Sequence, residues 1–190
     1  TASMTGFLTS EYAISTSVNY ALGGYYIGSW LAETIGGEGN VIVMEGIPGA
    51  SASDSQHAGM LRALGEYPDI TVVAEIAHMW TPQIAQAELQ KWLSANTTEV
   101  HGFAVQSSGE SGALNALESS GRPMVPMALG GEIGAFCYWR NNPDFIDRAI
   151  YTWPPGDDAE FAMNVLLRTM QGQGLKMQSI LVPPYEEDVE

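Results

Sequence analysis

The side chains able to do acid–base or nucleophilic chemistry are few and scattered. Gly109-Glu110-Ser111-Gly112 begins like a nucleophile elbow, with a serine beside a carboxylate, but the closing glycine is not in place. His57, His78 and His101 lie far apart and lack the spacing of a metal cage. His57 and His78 fall near strand ends, yet neither faces a serine in a strained turn. No Gly-x-Gly-x-x-Gly follows an apolar run, and no phosphate-loop lysine is present. A lone Cys137, flanked by Phe136, Tyr138 and Trp139, reads as core and can form no internal disulfide. A different feature stands out at Asn40–Leu64. The apolar run Val41–Met44 breaks into a soft loop, Gly46–Ser53, and then into a helical pattern carrying Met60, Leu61 and Leu64. Backbone N–H groups and small hydroxyls in such a loop can face a ligand.

Composition narrows the classes. The 190 residues suffice for one domain with a real core. Asp and Glu number 22 against 7 Lys and Arg, which disfavours a phosphate-tracking nucleic-acid surface and an anionic membrane surface. No apolar run reaches the roughly 18 residues of a membrane span.

The elements that must position any site follow from periodicity. Short, nearly continuous apolar runs at Val41–Met44, Ile70–Ala74, Gly102–Val105, Val125–Leu129 and Ala149–Thr152 suit parallel strands covered on both faces. Helical patterns fill the gaps. Thr81-Pro82 reads as an N-cap and first helical residue ahead of Ala85, Leu89, Trp92 and Leu93. Ala113, Leu114 and Leu117 precede a stop at Gly121; Ala162, Val165, Leu166 and Met170 precede Gly172. An earlier helix is expected from about Ser17 to Ile35, with Val18, Leu22, Tyr25, Ala32 and Ile35 inward, and Gly28 and Ser29 permitting close approach. The recurrence of strand, loop and helix predicts a doubly wound, mostly parallel α/β sheet of five or six strands, whose ligands bind beyond the strands' carboxyl ends.

The segments GGEGNVIVMEGIPGASASDSQHAGM, PDITVVAEIAHMWTPQIAQAELQKWLSAN, VHGFAVQSSGESGALNAL, GRPMVPMALGGEIGAF and YTWPPGDDAEFAMNVLLRTMQGQ follow one another in an order and spacing that resemble the ribose-type periplasmic sugar-binding proteins of ABC transporters. The third resembles the small apolar strand that the family follows with an Asn-Asp pair and a helix. The resemblance covers nearly the whole chain but only the carboxy-terminal lobe of such a protein. It implies that residues 1–190 form a single type I lobe. Residues 1–11 and 180–190 would then be hinge-crossing or inter-lobe segments, with Phe7–Glu11 and Leu181–Tyr185 near the crossings, and the amino-terminal lobe would be absent. It further implies a periplasmic binding protein that is no enzyme and needs no cofactor or metal. Its partners would be a sugar or polyol, an ABC transporter permease and the missing lobe.

A sugar offers apolar C–H faces and a rim of hydroxyls, which suit an aromatic wall and planar hydrogen-bonding side chains. Carried over by the resemblance, the ligand contacts fall on Asp54, Trp80, Gln106, Gly130, Glu132 and Trp153. Asp54 stands where ribose-binding members carry an arginine, which argues against an anionic ligand. Trp80 matches the stacking aromatic, and Gln106 an asparagine that binds hydroxyls. Gly130 matches a carboxylate that is missing here, and Glu132 in the same loop could replace it. Trp153 takes the place of a glutamine and precedes the rigid Pro154-Pro155. The implied ligand is a neutral polyol, a deoxy or pentose sugar, or a small glycoside, with a cation also compatible with two indoles and two carboxylates.

Structural readings stand beside these. Trp80 can be core packing, Asp54 can cap the helix that follows, Gln106 at a buried strand end needs a partner, and Glu132 can be solvated. Ser107 and Ser108 read as caps of the next helix, and Trp30 and Trp92 as packing residues. Two other classes stay open: the effector domain of a lac-repressor-type regulator, disfavoured by the acidic charge and the lack of a helix-turn-helix, and a small hydrolase.

Overall fold

The computed structural model describes residues 15–145, 148–152, 155–173, 179–182 and 185–186. In chain order the elements are β1 (Ser15–Val18), α1 (Tyr20–Thr34), β2 (Glu38–Glu45), α2 (Ser51–Leu64), β3 (Asp69–Ala77), α3 (Pro82–Ala95), β4 (Gly102–Val105), α4 (Glu110–Ser120), β5 (Met127–Leu129), α5 (Ile133–Asn141), β6 (Arg148–Thr152), α6 (Pro155–Met170), β7 (Ser179–Val182) and β8 (Tyr185–Glu186).

The main sheet has the order β3-β2-β4-β5-β6-β8. Its pairs are parallel except β6 with β8, which is antiparallel. A separate ribbon pairs β1 with β7 in parallel, Ser15 opposite Ser179 and Val18 opposite Val182. The doubly wound parallel sheet expected from the sequence is therefore present.

Alternation across the central strand explains why its sequence is continuously apolar. Val41 and Val43 join Ile27, Leu31, Met60 and Leu64 on the α1–α2 face. Ile42 and Met44 join Leu89, Phe103, Leu114 and Trp139 on the α3–α5 face. With both sides covered, no position along β2's centre can be polar. The α1–α2 layer is thin because glycines let backbones touch. A Cβ on Gly24 would lie 1.9 Å from the Gln56 carbonyl oxygen, and one on Gly59 would lie 2.1 Å from that of Ala21.

Several boundaries differ from the sequence reading. The first helix starts at Tyr20, not Ser17: Asn19 caps it by accepting from the Leu22 N–H at 3.1 Å, and Ser15–Val18 pair with β7 instead. Its buried face is Gly23, Gly24, Ile27, Gly28, Leu31 and Ala32, so Leu22, Tyr25 and Ile35 sit at the margin. β5 begins at Met127, after Pro126, which has no N–H to donate to a ladder. On α5 the inward positions are Ala135 and Trp139, one turn apart, and Cys137 between them points to solvent as a free thiol rather than joining the core. On α6 only Val165 of the expected stripe is buried; Leu166 and Met170 are 51% and 77% exposed. Trp30 and Trp92 do pack against the two core clusters.

Because Gly24 faces main chain rather than a flexible side chain, Gly24→Val is expected to lower the unfolding free energy by about 1–3 kcal/mol. A urea titration checks this; an unchanged midpoint would contradict the close crossing of α1 on α2.

Candidate functional site

The chain runs outward from β2 to β3 and then returns to the other side of β2 as β4, so the strand order reverses between β2 and β4. In open α/β sheets this reversal leaves a crevice at the carboxyl ends, where ligands bind. Four tip loops surround it: residues 46–50 after β2, 78–81 after β3, 106–109 after β4 and 130–132 after β5. None of them contains lysine or arginine.

Trp80 supplies the aromatic surface. It is half-buried, and its indole lies directly on Gly46, where a Cβ would come within 2.0 Å of Nε1. Any other residue at 46 would push the ring away. The two loops are laced together, with the His78 N–H donating to the Glu45 carbonyl at 2.8 Å and the Met79 N–H to the Gly46 carbonyl at 3.1 Å. Among the described residues the non-glycine positions with positive φ are Met79 (55°), Trp80 (52°) and Ser108 (68°), all at these tips. Such conformations cost about 1–3 kcal/mol each and persist only where the surroundings impose them.

Gln106 sits at the crevice itself and is fully buried. Its Oε1 accepts from the Gly46 N–H at 2.9 Å and the Ser53 hydroxyl at 3.1 Å, while its Nε2 donates to the Ser53 carbonyl at 2.9 Å. The Gln106 amide, expected from the sequence to reach ligand hydroxyls, is here bonded to the chain and has no open surface. The Gly46–Ser53 loop is likewise less available than its composition implies. The Gly46 N–H goes to Gln106, that of Gly49 to Asp54 and that of Ala50 to the Ile47 carbonyl.

The remaining candidates divide. Asp54 is exposed in the first turn of α2 and accepts from the Gly49 N–H at 2.8 Å. Gly130 is buried and takes the Ser107 hydroxyl on its carbonyl at 2.7 Å. A Cβ there would meet the Ser107 nitrogen at 2.5 Å, so a carboxylate side chain has no room, and Gly130 offers no polar side chain of its own. Ser107 therefore ties two tips together instead of capping α4, whose N-cap is Gly109. Glu132 is half-buried at the N-cap of α5, and its carboxylate accepts from the Ser111 hydroxyl at 2.7 Å and the Ser111 N–H at 3.1 Å. Trp153 lies outside the described residues.

Among the tips and at the start of α4 are two enclosed ionisable groups that the sequence did not reveal. His78 and Glu110 are both fully buried. Burial lowers the His78 pKa to about 4, against the opposing pull of Glu132, so the imidazole is neutral at pH 7. Burial, reinforced by the neighbouring Glu132 carboxylate, raises the Glu110 pKa well above the usual carboxylate value. One Glu110 oxygen accepts from the Gly109 N–H at 2.9 Å. Ser111, the serine of the elbow-like motif, donates to the Glu132 carboxylate, and neither His78 nitrogen has a hydrogen-bond partner, so the serine is not paired with an imidazole. No cluster of three or more metal-ligating side chains occurs among the described residues.

This geometry can be set beside known proteins. The family model described as "Periplasmic binding protein domain" matches residues 8–174. The chain belongs to that family. A curated relative, the xylitol-binding protein of Mycolicibacterium smegmatis, is 32% identical over 98 residues, which is 51% of this chain and 28% of the relative. Among solved structures, an ABC transporter periplasmic solute-binding protein from Actinobacillus succinogenes with bound D-allose is 27% identical with a TM-score of 0.76, over 91% of this chain and 62% of that one. A solute-binding protein from Burkholderia graminis in complex with D-arabinose shares the fold at 16% identity, TM-score 0.76, over 93% of this chain and 62% of that one. The chain thus spans less than two thirds of the length of these relatives. They are binding proteins, and none of them is named for a catalytic activity. Membership of the family implies an extracytoplasmic setting. No described helix is long and apolar enough to cross a membrane.

The Glu110 shift fixes a pH dependence for this periplasmic binding protein domain. Its folded pKa is raised, so the stability it contributes is fully present below about 4.5, the unfolded value, and is lost as pH rises toward the folded value. Glu110→Gln is therefore expected to gain stability relative to the parent as pH increases from 4.5 to 8. Chemical denaturation across that range checks it, and parallel pH profiles for the two proteins would contradict it.

Proposed function

We propose that this chain is the carboxy-terminal lobe of a two-lobed solute-binding protein, and that its strand tips form half of a clamp for a neutral sugar or polyol. The observation that carries the reading is the Trp80 indole held across Gly46 beside the crevice, within loops that contain no cation. An indole face packs against the C–H surface of a sugar, and the surrounding oxygens address its hydroxyls. Asp54, in the first turn of the helix after the β2 loop, and Glu132, in the loop after β5, are assigned as acceptors, and Trp153 as the second aromatic wall. Gln106 and Gly130 support the site from beneath. The names of the relatives, one for xylitol and one with bound D-allose, support the polyol or sugar class.

The mechanism is binding, not catalysis. Ligand contacts both lobes, the hinge closes, and a membrane permease recognises the closed form in the periplasm. Closure is favoured only by contacts made to both lobes at once. The β1–β7 ribbon supports the assignment of Leu181–Tyr185 as a crossing, because β7 runs alongside the strand that enters this lobe.

Calorimetric titration with xylitol, D-allose and D-arabinose tests the reading. The isolated 190-residue chain is expected to show no saturable heat, whereas the two-lobed protein that contains it binds one of them. Micromolar binding by the isolated chain would contradict the clamp. In the two-lobed protein Trp80→Ala is expected to weaken binding tenfold or more, about 1.4 kcal/mol; an unchanged affinity would remove Trp80 from the site.

A further inference from the structure

We infer that Gln106 is a positioning residue for the Trp80 platform, acting through Gly46 rather than touching ligand. Its relevance to binding rests on the proposed site, but the juxtaposition does not. Gln106 Oε1 holds the Gly46 N–H at 2.9 Å, the Gly46 carbonyl holds the Met79 N–H at 3.1 Å, and the Trp80 ring rests on the Gly46 Cα. The same oxygen takes the Ser53 hydroxyl at 3.1 Å, and Nε2 returns a bond to the Ser53 carbonyl at 2.9 Å. A single side-chain amide thereby joins the tip of β4, the tip of β2 and the first turn of α2. The β3 loop hangs on the strand so fixed.

Two features make this more than packing. Met79 and Trp80 both adopt left-handed backbone conformations, so the indole's aim depends on what anchors its loop. Gly46 is not among the glycines with positive φ, so its small size serves the ring and not a turn. The Gln106 amide presents no open surface to a solute. It replaces, with one preformed hydrogen-bond set, the ordering that a ligand would otherwise have to impose on the loop.

The test uses the indole Nε1–H resonance of Trp80 in the 190-residue chain, assigned by its loss in Trp80→Phe. Gln106→Met keeps the volume and removes the acceptor and donor. It is expected to move or broaden the Trp80 resonance while that of Trp30, on the far helix layer, stays in place. Gly46→Ala should move the Trp80 resonance by displacing the ring directly. Ser53→Ala removes the hydroxyl but leaves the Gln106–Gly46 bond, and should leave the resonance where it is. A Trp80 resonance unmoved in Gln106→Met would overturn the inference. Hydrogen exchange in the unmodified chain gives a second reading that needs no variant: the Gly46 and Met79 amides are expected to be protected, and rapid exchange at Gly46 would overturn it. In the two-lobed protein Gln106→Met should weaken xylitol binding about tenfold. If the unmodified two-lobed protein does not bind xylitol, that contradicts only the assignment of ligand, since the resonance and exchange results stand without it.

Discussion

The site depends on one buried amide. Where the strand order reverses, two parallel strands end side by side and their connections diverge to opposite faces of the sheet, leaving a gap with unpaired main-chain groups. Gln106 fills that gap with three hydrogen bonds to Gly46 and Ser53. Removing one partner of a buried polar pair costs about 1–3 kcal/mol for each group left unsatisfied. The bolt therefore ties the tips of β2 and β4 to the first turn of α2.

The side chains around the bolt differ in character. The Trp80 indole and Glu132 are half-buried and the Asp54 carboxylate is exposed. His78, a neutral imidazole, and Glu110, whose pKa burial holds high, are fully enclosed. A carboxyl group whose pKa is raised beside a second carboxylate often serves chemistry. Here the serine in reach is bonded to Glu132 and not to His78, and the reported relatives are binding proteins. The buried layer reads as support for the tips, with Gly109 pressed against the His78 ring, where a Cβ would lie 2.8 Å away.

Much of the fold was legible because both faces of the sheet are covered. Runs such as Val41–Met44 and Gly102–Val105, short and bounded by polar or glycine-containing segments, read as buried strand and are so, and Thr81-Pro82, Gly121 and Gly172 punctuate the helices. Elements whose stability comes from pairing rather than burial escaped. Ser15–Val18 is too polar to read as a strand without its partner β7, and the polar ends of β2 pair with β3 through the backbone, Glu38 opposite Asp69 and Glu45 opposite Ala77. Cys137 misled because its neighbours are aromatic, whereas helical geometry turns it away from Ala135 and Trp139. The candidate site was legible as a place, at the strand tips, and less so as a set of contacts. Residue type marks Gln106 as polar and buried but does not say where its bonds go. Nothing in the sequence shows that Gly130 has no space for a side chain, or that His78 and Glu110 are fully enclosed.

We propose the crevice between β2 and β4, walled by Trp80, as the seat of a neutral polyol or sugar. A crystal structure of the two-lobed protein with xylitol or D-allose bound tests it most directly. The solute is expected against the Trp80 ring, within van der Waals contact of its face, with Gln106 still bonded to Gly46 and Ser53. A ligand seated elsewhere on the lobe, or one that takes its hydrogen bonds from the Gln106 amide, would contradict it.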